Sequence, residues 1–290
     1  MRLRKKVLCF LCSCLFLSTA CVVNAKELTT EPNTANLENA ITNIASDEDI
    51  FSSIENDLNE GDEIIQASDS YYRVDQYDSE AKPERITKED YINESKPATI
   101  EIPPINRGYH PGDSISVPDR WNWIKLRMYC IKLSSPVHNN RYQFTAGYNW
   151  KHQPSVIAGK DVFGIANNGN IAFDSSTMRG QSTTHNTIHP YGVTTNYTPS
   201  SADVIESING VAFKHQLTAG YGVSNYPSGS ISVCGNPLRE GVSAGIGVTY
   251  AHSQITGSSS ISFSKSGPSV SVSPSLSFDS ITSTAAIDFR

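Results

Sequence analysis

Beyond residue 25 the sequence has no apolar run near the ~20 residues that a membrane-crossing helix needs, because Ser, Gly and charged residues interrupt every stretch. Cysteine is equally scarce there. Four of the six (Cys9, Cys12, Cys14, Cys21) lie in the first 25 residues, and only Cys130 and Cys234 follow. No CxxC and no Cys-His spacing accompanies them, which argues against a thiolate metal site or a redox motif. H-E-x-x-H, a P-loop and a dinucleotide fingerprint are all missing, so the sequence implies no cofactor. Basic residues are also few, 23 Lys and Arg against 29 Asp and Glu, and no patch of them suits a nucleic-acid partner.

What is present starts with an export signal. Arg2, Arg4, Lys5 and Lys6 form a basic start, Val7 to Val23 is nearly uncharged and apolar, and Val23-Asn24-Ala25 places small residues where a signal peptidase reads. Residues 1–25 are therefore expected to be a secretory signal cleaved between Ala25 and Lys26, delivering an extracellular or cell-surface protein. The competing reading is a lipoprotein signal with Cys21 lipidated, which Ser18-Thr19-Ala20-Cys21 fits poorly because a bulky aliphatic normally stands where Ser18 is. In an oxidising compartment Cys130 and Cys234 are expected to close a disulfide, restricting the unfolded chain by about 4–5 kcal/mol in the entropic account.

Charge divides the remainder. Residues 26–104 carry 20 Asp and Glu against 6 Lys and Arg, whereas residues 105–290 carry 9 against 13. The first segment reads as an acidic pro-region or spacer, partly disordered, with two short helical patterns. Leu37, Ala40, Ile41 and Ile44 mark one; Ile50, Phe51, Ile54 and Leu58, after a Ser46 cap and an acidic first turn, mark the other. Pro97, Pro103, Pro104, Gly108, Pro111 and Gly112 make a hinge.

From there the apolar period becomes two. Tyr142, Phe144, Ala146, Tyr148 and Trp150 alternate with polar or small residues, as do Val211 to Val223 and Val242 to Tyr250. The run 162–173, with Asn167-Asn168-Gly169-Asn170 in its middle, reads as a β-hairpin. A near-repeat links Gln143-Phe144-Thr145-Ala146-Gly147-Tyr148 to Gln216-Leu217-Thr218-Ala219-Gly220-Tyr221. Such regular alternation, punctuated by Gly, Pro and Ser, predicts an all-β C-terminal domain over 105–290, an antiparallel sandwich or barrel.

Four constellations could carry function. His185 and His189 share a face, and His215 and His252 lie on the apolar faces of their strands. Imidazoles converging from neighbouring strands could bind a metal, although no carboxylate stands at ligand spacing. Asp161 and Asp174 flank the expected hairpin and offer a weak carboxylate pair for glycoside chemistry. Trp121, Trp123, Trp150 and Tyr148 could form a stacking platform for a ligand, the competing role being core packing. Finally, residues 241–255 and 269–282 read as long strands with one apolar face and one face of Ser, Gly and Thr, a pattern suited to lipid contact. The sequence thus predicts a secreted β-rich protein that binds a cell-surface partner rather than catalyses. The alternatives are a membrane-active β-protein with an inhibitory acidic segment, its partner being lipid, and, third, a metal-dependent enzyme using His185, His189 and His215.

Overall fold

The computed structural model describes residues 58–289, apart from 77, 79–80, 96–99, 102–113, 116–119, 153, 155–158, 187–192, 218–224, 254–258, 265–267 and 274–277. The expected signal, its cleavage at Ala25 and Lys26, the lipidation alternative at Cys21 and both N-terminal helical patterns lie outside that range, save Leu58. So do His189 and most of the second copy of the near-repeat.

The described chain is an all-β sandwich in which every strand pairing is antiparallel. One sheet holds seven strands in the order β2 (Glu84–Ile86), β1 (Glu63–Asp75), β5 (Trp121–Val137), β6 (Asn140–Trp150), β12 (Asn225–Pro237), β8 (Ile171–Asn186) and β9 (Val193–Tyr197). The other holds five: β10 (Val204–Ser207), β11 (Gly210–Gln216), β7 (Lys160–Asn167), β13 (Ser243–Ser253) and β16 (Phe278–Asp288). Two small pairs stand apart, β3 (Ile100–Glu101) with β4 (Ser114–Ile115) and β14 (Ser260–Ser264) with β15 (Ser269–Ser273).

Period-two alternation explains the core. Tyr148 and Trp150 of β6 face Phe163 of β7 and Tyr250 of β13 across the sandwich, all buried, with ring centroids 4.5 to 5.6 Å apart. At 1.5–3 kcal/mol for each buried side chain of this size, this shared layer is the main source of stability. At one edge the two sheets also meet through hydrogen bonds, Ser70 Oγ to Ser283 Oγ at 2.7 Å and the Tyr72 hydroxyl to the Thr282 carbonyl at 2.8 Å.

Strand β5 is apolar on both sides because both sides are covered. Its outward Trp123 packs with Tyr71 and Tyr91 under α1 (Lys88–Glu94). That helix is short, and begins on a capping box: Thr87 accepts from the Asp90 amide while the Asp90 carboxylate accepts from Thr87. Tyr91 then anchors it, fully buried and 4.9 Å from the Tyr71 ring.

Four expectations need correction. First, β1, β2 and α1 belong to the sandwich, with β1 hydrogen-bonded to β5 from Asp75↔Trp121 to Glu63↔Lys132. The β domain therefore begins at least by residue 63, inside the segment read as spacer, and acidity misled because the Asp and Glu of β1 face outward. Second, the Asn-Gly turn after β7 does not close a hairpin. Asn167 Oδ1 accepts from the Gly169 amide at 2.7 Å and Gly169 takes φ +85°, a tight reversal, but it passes the chain from the five-stranded sheet into β8 of the seven-stranded one. The hairpin turn with left-handed residues is instead His138-Asn139, between β5 and β6.

Third, the expected strand 269–282 is two strands. β15 pairs with β14, while β16 joins β13 in the five-stranded sheet. Fourth, Cys130 and Cys234 are both free thiols. Cys130 lies opposite Phe144 and Cys234 opposite Gln143, so they project to opposite faces with β6 between their strands. Two strand spacings amount to about 10 Å, beyond what a disulfide spans. Both thiols have their pKa pushed up by burial, which keeps them protonated and unreactive. Alkylation of denatured, unreduced protein should tag both Cys130 and Cys234; a mass showing the two joined would reverse this assignment.

Candidate functional site

The two ends of the sandwich differ in chemistry. At one end a carboxylate is buried between the sheets. Asp161, the second residue of β7, points inward because β7 alternates Asp161, Phe163 and Ile165 toward the core. Around it, β13 supplies three donors: the Tyr250 hydroxyl bonds Oδ2, His252 Nδ1 lies 3.0 Å from Oδ2, and the Ser253 amide donates to Oδ1 at 2.9 Å. His215 of β11 completes the group, its Nε2 2.9 Å from the Tyr148 hydroxyl and 3.4 Å from that of Tyr250, with its ring stacked on Tyr148. Its Nδ1 has no partner among the described residues.

The electrostatics follow from burial. Burial alone would push the Asp161 carboxyl up; the charge and hydrogen bond of His252, the nearby His215 and the Ser253 amide outweigh it and hold the group below its ordinary range. His215 is pushed down to about 4, first by burial, partly opposed by Asp161 and reinforced by His252. It is therefore a neutral imidazole, and Tyr148 and Tyr250 have their pKa raised by burial. The arrangement resembles a relay, but every member is enclosed, so it braces the core and offers no nucleophile to a substrate.

At the opposite end a cleft of about 560 Å³ opens between the sheets. Its floor is the edge-to-face pair Tyr142 and Phe289, 4.8 Å apart. Its rim carries Lys132, Arg141, Asn139, Asn236 and Glu240. Asn236 ties that rim together, accepting from the Arg141 amide at 2.8 Å and donating to the Asn139 carbonyl at 3.1 Å. Among the described residues neither Lys132 nor Arg141 has an ion-pair partner, so both charges face the cleft or water.

A third feature covers the outer face of the five-stranded sheet. The β14–β15 hairpin lays Val270 and Val272, with Ile261 and Phe263, on Val162, Ala166, Ala212 and Ala251. The bed is made of small residues for a steric reason. A Cβ on Gly247 would sit 1.5 Å from the Pro268 carbonyl oxygen, and one on Gly210 2.2 Å from the Phe263 ring. The opposite face of the hairpin is serine, with Ser260, Ser262, Ser271 and Ser273 exposed.

The sequence candidates are dispersed by this fold. Trp150 and Tyr148 lie in the inter-sheet core, Trp123 is buried on the outer face under α1, and Trp121 is half-exposed between Arg73 and Arg120. They form no shared platform. His185 lies in β8, opposite Tyr226 in the seven-stranded sheet, whereas His215 lies in β11 of the other, and among the described residues no three His, Cys, Asp or Glu are placed to hold a metal. Asp161 and Asp174 do not face each other either. Asp174 sits on the outer side of β8, held below its ordinary pKa by the Ser176 hydroxyl, with Asn140 and the Ser176 amide adding to it. His215 and His252, read from their parity as possible metal ligands, lie instead in one buried polar cluster around Asp161. Asp161 as its centre was missed, because a strand-end aspartate beside a turn signal reads as turn chemistry.

No known family matches the chain, and no curated protein matches its sequence. Among solved structures, one described as the keratin-10-binding (KRT10) region domain of the pneumococcal serine-rich repeat protein PsrP is 10% identical, TM-score 0.28, covering 77% of this chain and 98% of that one. One described only as a pore forming protein is 8% identical, TM-score 0.28, covering 79% and 97%. A third, described as manganese lipoxygenase of Gaeumannomyces graminis with partial zonadhesin of Komagataella pastoris, is 8% identical, TM-score 0.26, and covers 58% of this chain and 66% of that one. At these scores none assigns a family.

Because His215 titrates near 4 when folded and at about 6.5 when unfolded, the unfolded chain binds the extra proton between those values. Stability should therefore fall as pH drops from 6.5 to 4, by up to about 3 kcal/mol. Below that window Asp161 adds its own loss as pH falls through its depressed value. Urea unfolding across pH should show this slope in the native chain and a flatter one in His215→Gln; an unchanged slope would rule out His215 as its source. Asp161→Asn should cost about 3–5 kcal/mol, since it leaves His252 buried without its counter-charge.

Proposed function

We propose that the protein is exported and acts at a cell surface by binding rather than by catalysis, with the cleft between Lys132, Arg141 and the Tyr142–Phe289 floor as its contact site. The observation that carries this is the cleft itself. It has an aromatic floor for a ring face, amides for hydroxyls, and two cations without ion-pair partners among the described residues, at one end of the sandwich. Those groups suit a hydroxyl-rich ligand carrying a negative charge, such as an acidic sugar: carboxylate binding to Arg is charge-assisted, and stacking orients the ring. The export reading of residues 1–25 supports a ligand outside the producing cell.

A second reading, action on the membrane itself, is favoured by the hairpin β14–β15, whose strict alternation of apolar residues with serine serves no cleft.

Calorimetric titration of the full chain with acidic and neutral oligosaccharides tests the first reading. An acidic sugar should bind, and Lys132→Ala with Arg141→Ala should weaken it at least tenfold, with Tyr142→Ala doing the same. Binding undisturbed by these changes, or no preference for the charged sugar, would remove the cleft from the account.

A further inference from the structure

We propose that the outer edge of β16 is a second contact site, at which one extended peptide of a partner protein adds as a sixth strand to the five-stranded sheet. The site is separate from the cleft, and its test does not depend on what the cleft binds.

The direction of the backbone groups comes first. The Phe289 amide donates to the Val242 carbonyl at 3.4 Å, continuing the β13–β16 ladder by one residue. In an antiparallel pair each residue turns its amide and carbonyl to the same side, and successive residues alternate. Ile281, Ser283, Ala285 and Ile287 therefore bond to β13, whereas the amides and carbonyls of Ser280, Thr282, Thr284 and Ala286 point away from it. The Tyr72 hydroxyl, reaching from β1, donates to the Thr282 carbonyl at 2.8 Å, which marks that side as the outer one. Among the described residues no other hydrogen bond is formed to this row.

Such a row is a template for another strand, and folded proteins guard it by brevity, charge, proline or a bulge. The other edges of the two sheets are guarded by brevity, with 3 residues in β2, 5 in β9 and 4 in β10. β16 has 11. From Ser280 to Ile287 it carries no charge and no proline. Its register with β13 is unbroken from Ser253↔Phe278 to Ser243↔Asp288, so no bulge turns the edge away. Thr282, Thr284 and Ala286 are small, and an added strand meets no bulky neighbour on the outer face.

The surroundings select the occupant. β6 lies over β13, through Tyr148 and Trp150 on Tyr250, and β1 lies over β16, through Ser70 Oγ on Ser283 Oγ at 2.7 Å. β2, next beyond β1, therefore overhangs the space beside β16. That slot is one strand wide. Two copies joined there through β16 would place both β2 strands over one junction of about 4.8 Å, so self-pairing is obstructed. Charge then sets the chemistry. Arg85 of β2 is exposed and forms no ion pair among the described residues. It donates to Ser70 Oγ at 3.3 Å, which puts its guanidinium at the inner side of the edge near Ser283. The partner is thus an extended segment of small or β-branched residues, with a carboxylate on its inward face opposite Ser283, where pairing with Arg85 is charge-assisted.

The probe is a blocked heptapeptide, Val-Thr-Glu-Thr-Val-Thr-Val, added to the full chain with hydrogen exchange read amide by amide. The Thr284 and Ala286 amides should exchange freely without peptide and at least tenfold more slowly at saturation. Replacing Glu by Gln in the peptide should weaken binding at least tenfold, and Arg85→Gln in the protein should erase that preference. Thr284→Pro removes an amide that makes no ladder bond, so the fold is kept, yet it should weaken the peptide at least tenfold. The Arg85→Gln arm does not depend on how the proline variant folds. Absence of saturable binding, protection at another edge, or equal binding of the Glu and Gln peptides overturns the proposal. Slow exchange of Thr284 and Ala286 without peptide also overturns it: accompanied by concentration-dependent association it assigns the edge to a second copy, and in the monomer to another segment of this chain.

Discussion

The structure turns on one buried carboxylate. A charged group between two apolar sheets costs several kcal/mol unless its lone pairs are met and its charge is balanced. Asp161 meets both conditions only where β7, β11, β13 and β6 have their observed registers, because its partners come from β13 directly and from β11 and β6 through Tyr148 and His215. A one-residue slip of β7 would turn Val162 inward and Asp161 outward, orphaning Tyr250 and His252. The cluster thus specifies the sandwich as well as stabilising it.

That specificity matters most for the five-stranded sheet, which is covered on both faces. Its inner face carries large aromatics, and its outer face under the β14–β15 hairpin is mainly Gly, Ala and Val. Gly164, Gly210 and Gly247 each face atoms closer than a Cβ tolerates, so the sheet is thin by composition and admits a further layer. Four apolar side chains of the β14–β15 hairpin fill it. Their burial is worth a few kcal/mol together when the half-exposure of Ile261 and Phe263 is considered, small beside the inter-sheet core.

What the sequence disclosed follows from what alternation encodes. It assigns faces, so the inward positions of β6, β11 and β13 were readable, and with them the shared face of His215 and His252. It does not assign neighbours. The Asn167–Gly169 turn was visible as a reversal, but the same local chemistry serves a hairpin or a crossing between sheets. Cys130 and Cys234 looked like a pair by count and compartment, yet only the interposed β6 reveals opposite faces. β1 was hidden by its outward Asp69 and Asp75, which bond Arg127 and Arg120 across the sheet surface, so local acidity reported ion pairing and not disorder. The end cleft was invisible because it joins residues from β5, β6, β12 and the chain end.

The two ends of the sandwich therefore have different physical characters. The cleft end is open, so a ligand can enter there without disturbing the inter-sheet packing. The opposite end is closed by Asp161, which holds the Ser253 amide where the β13–β16 pairing ends at Ser253↔Phe278.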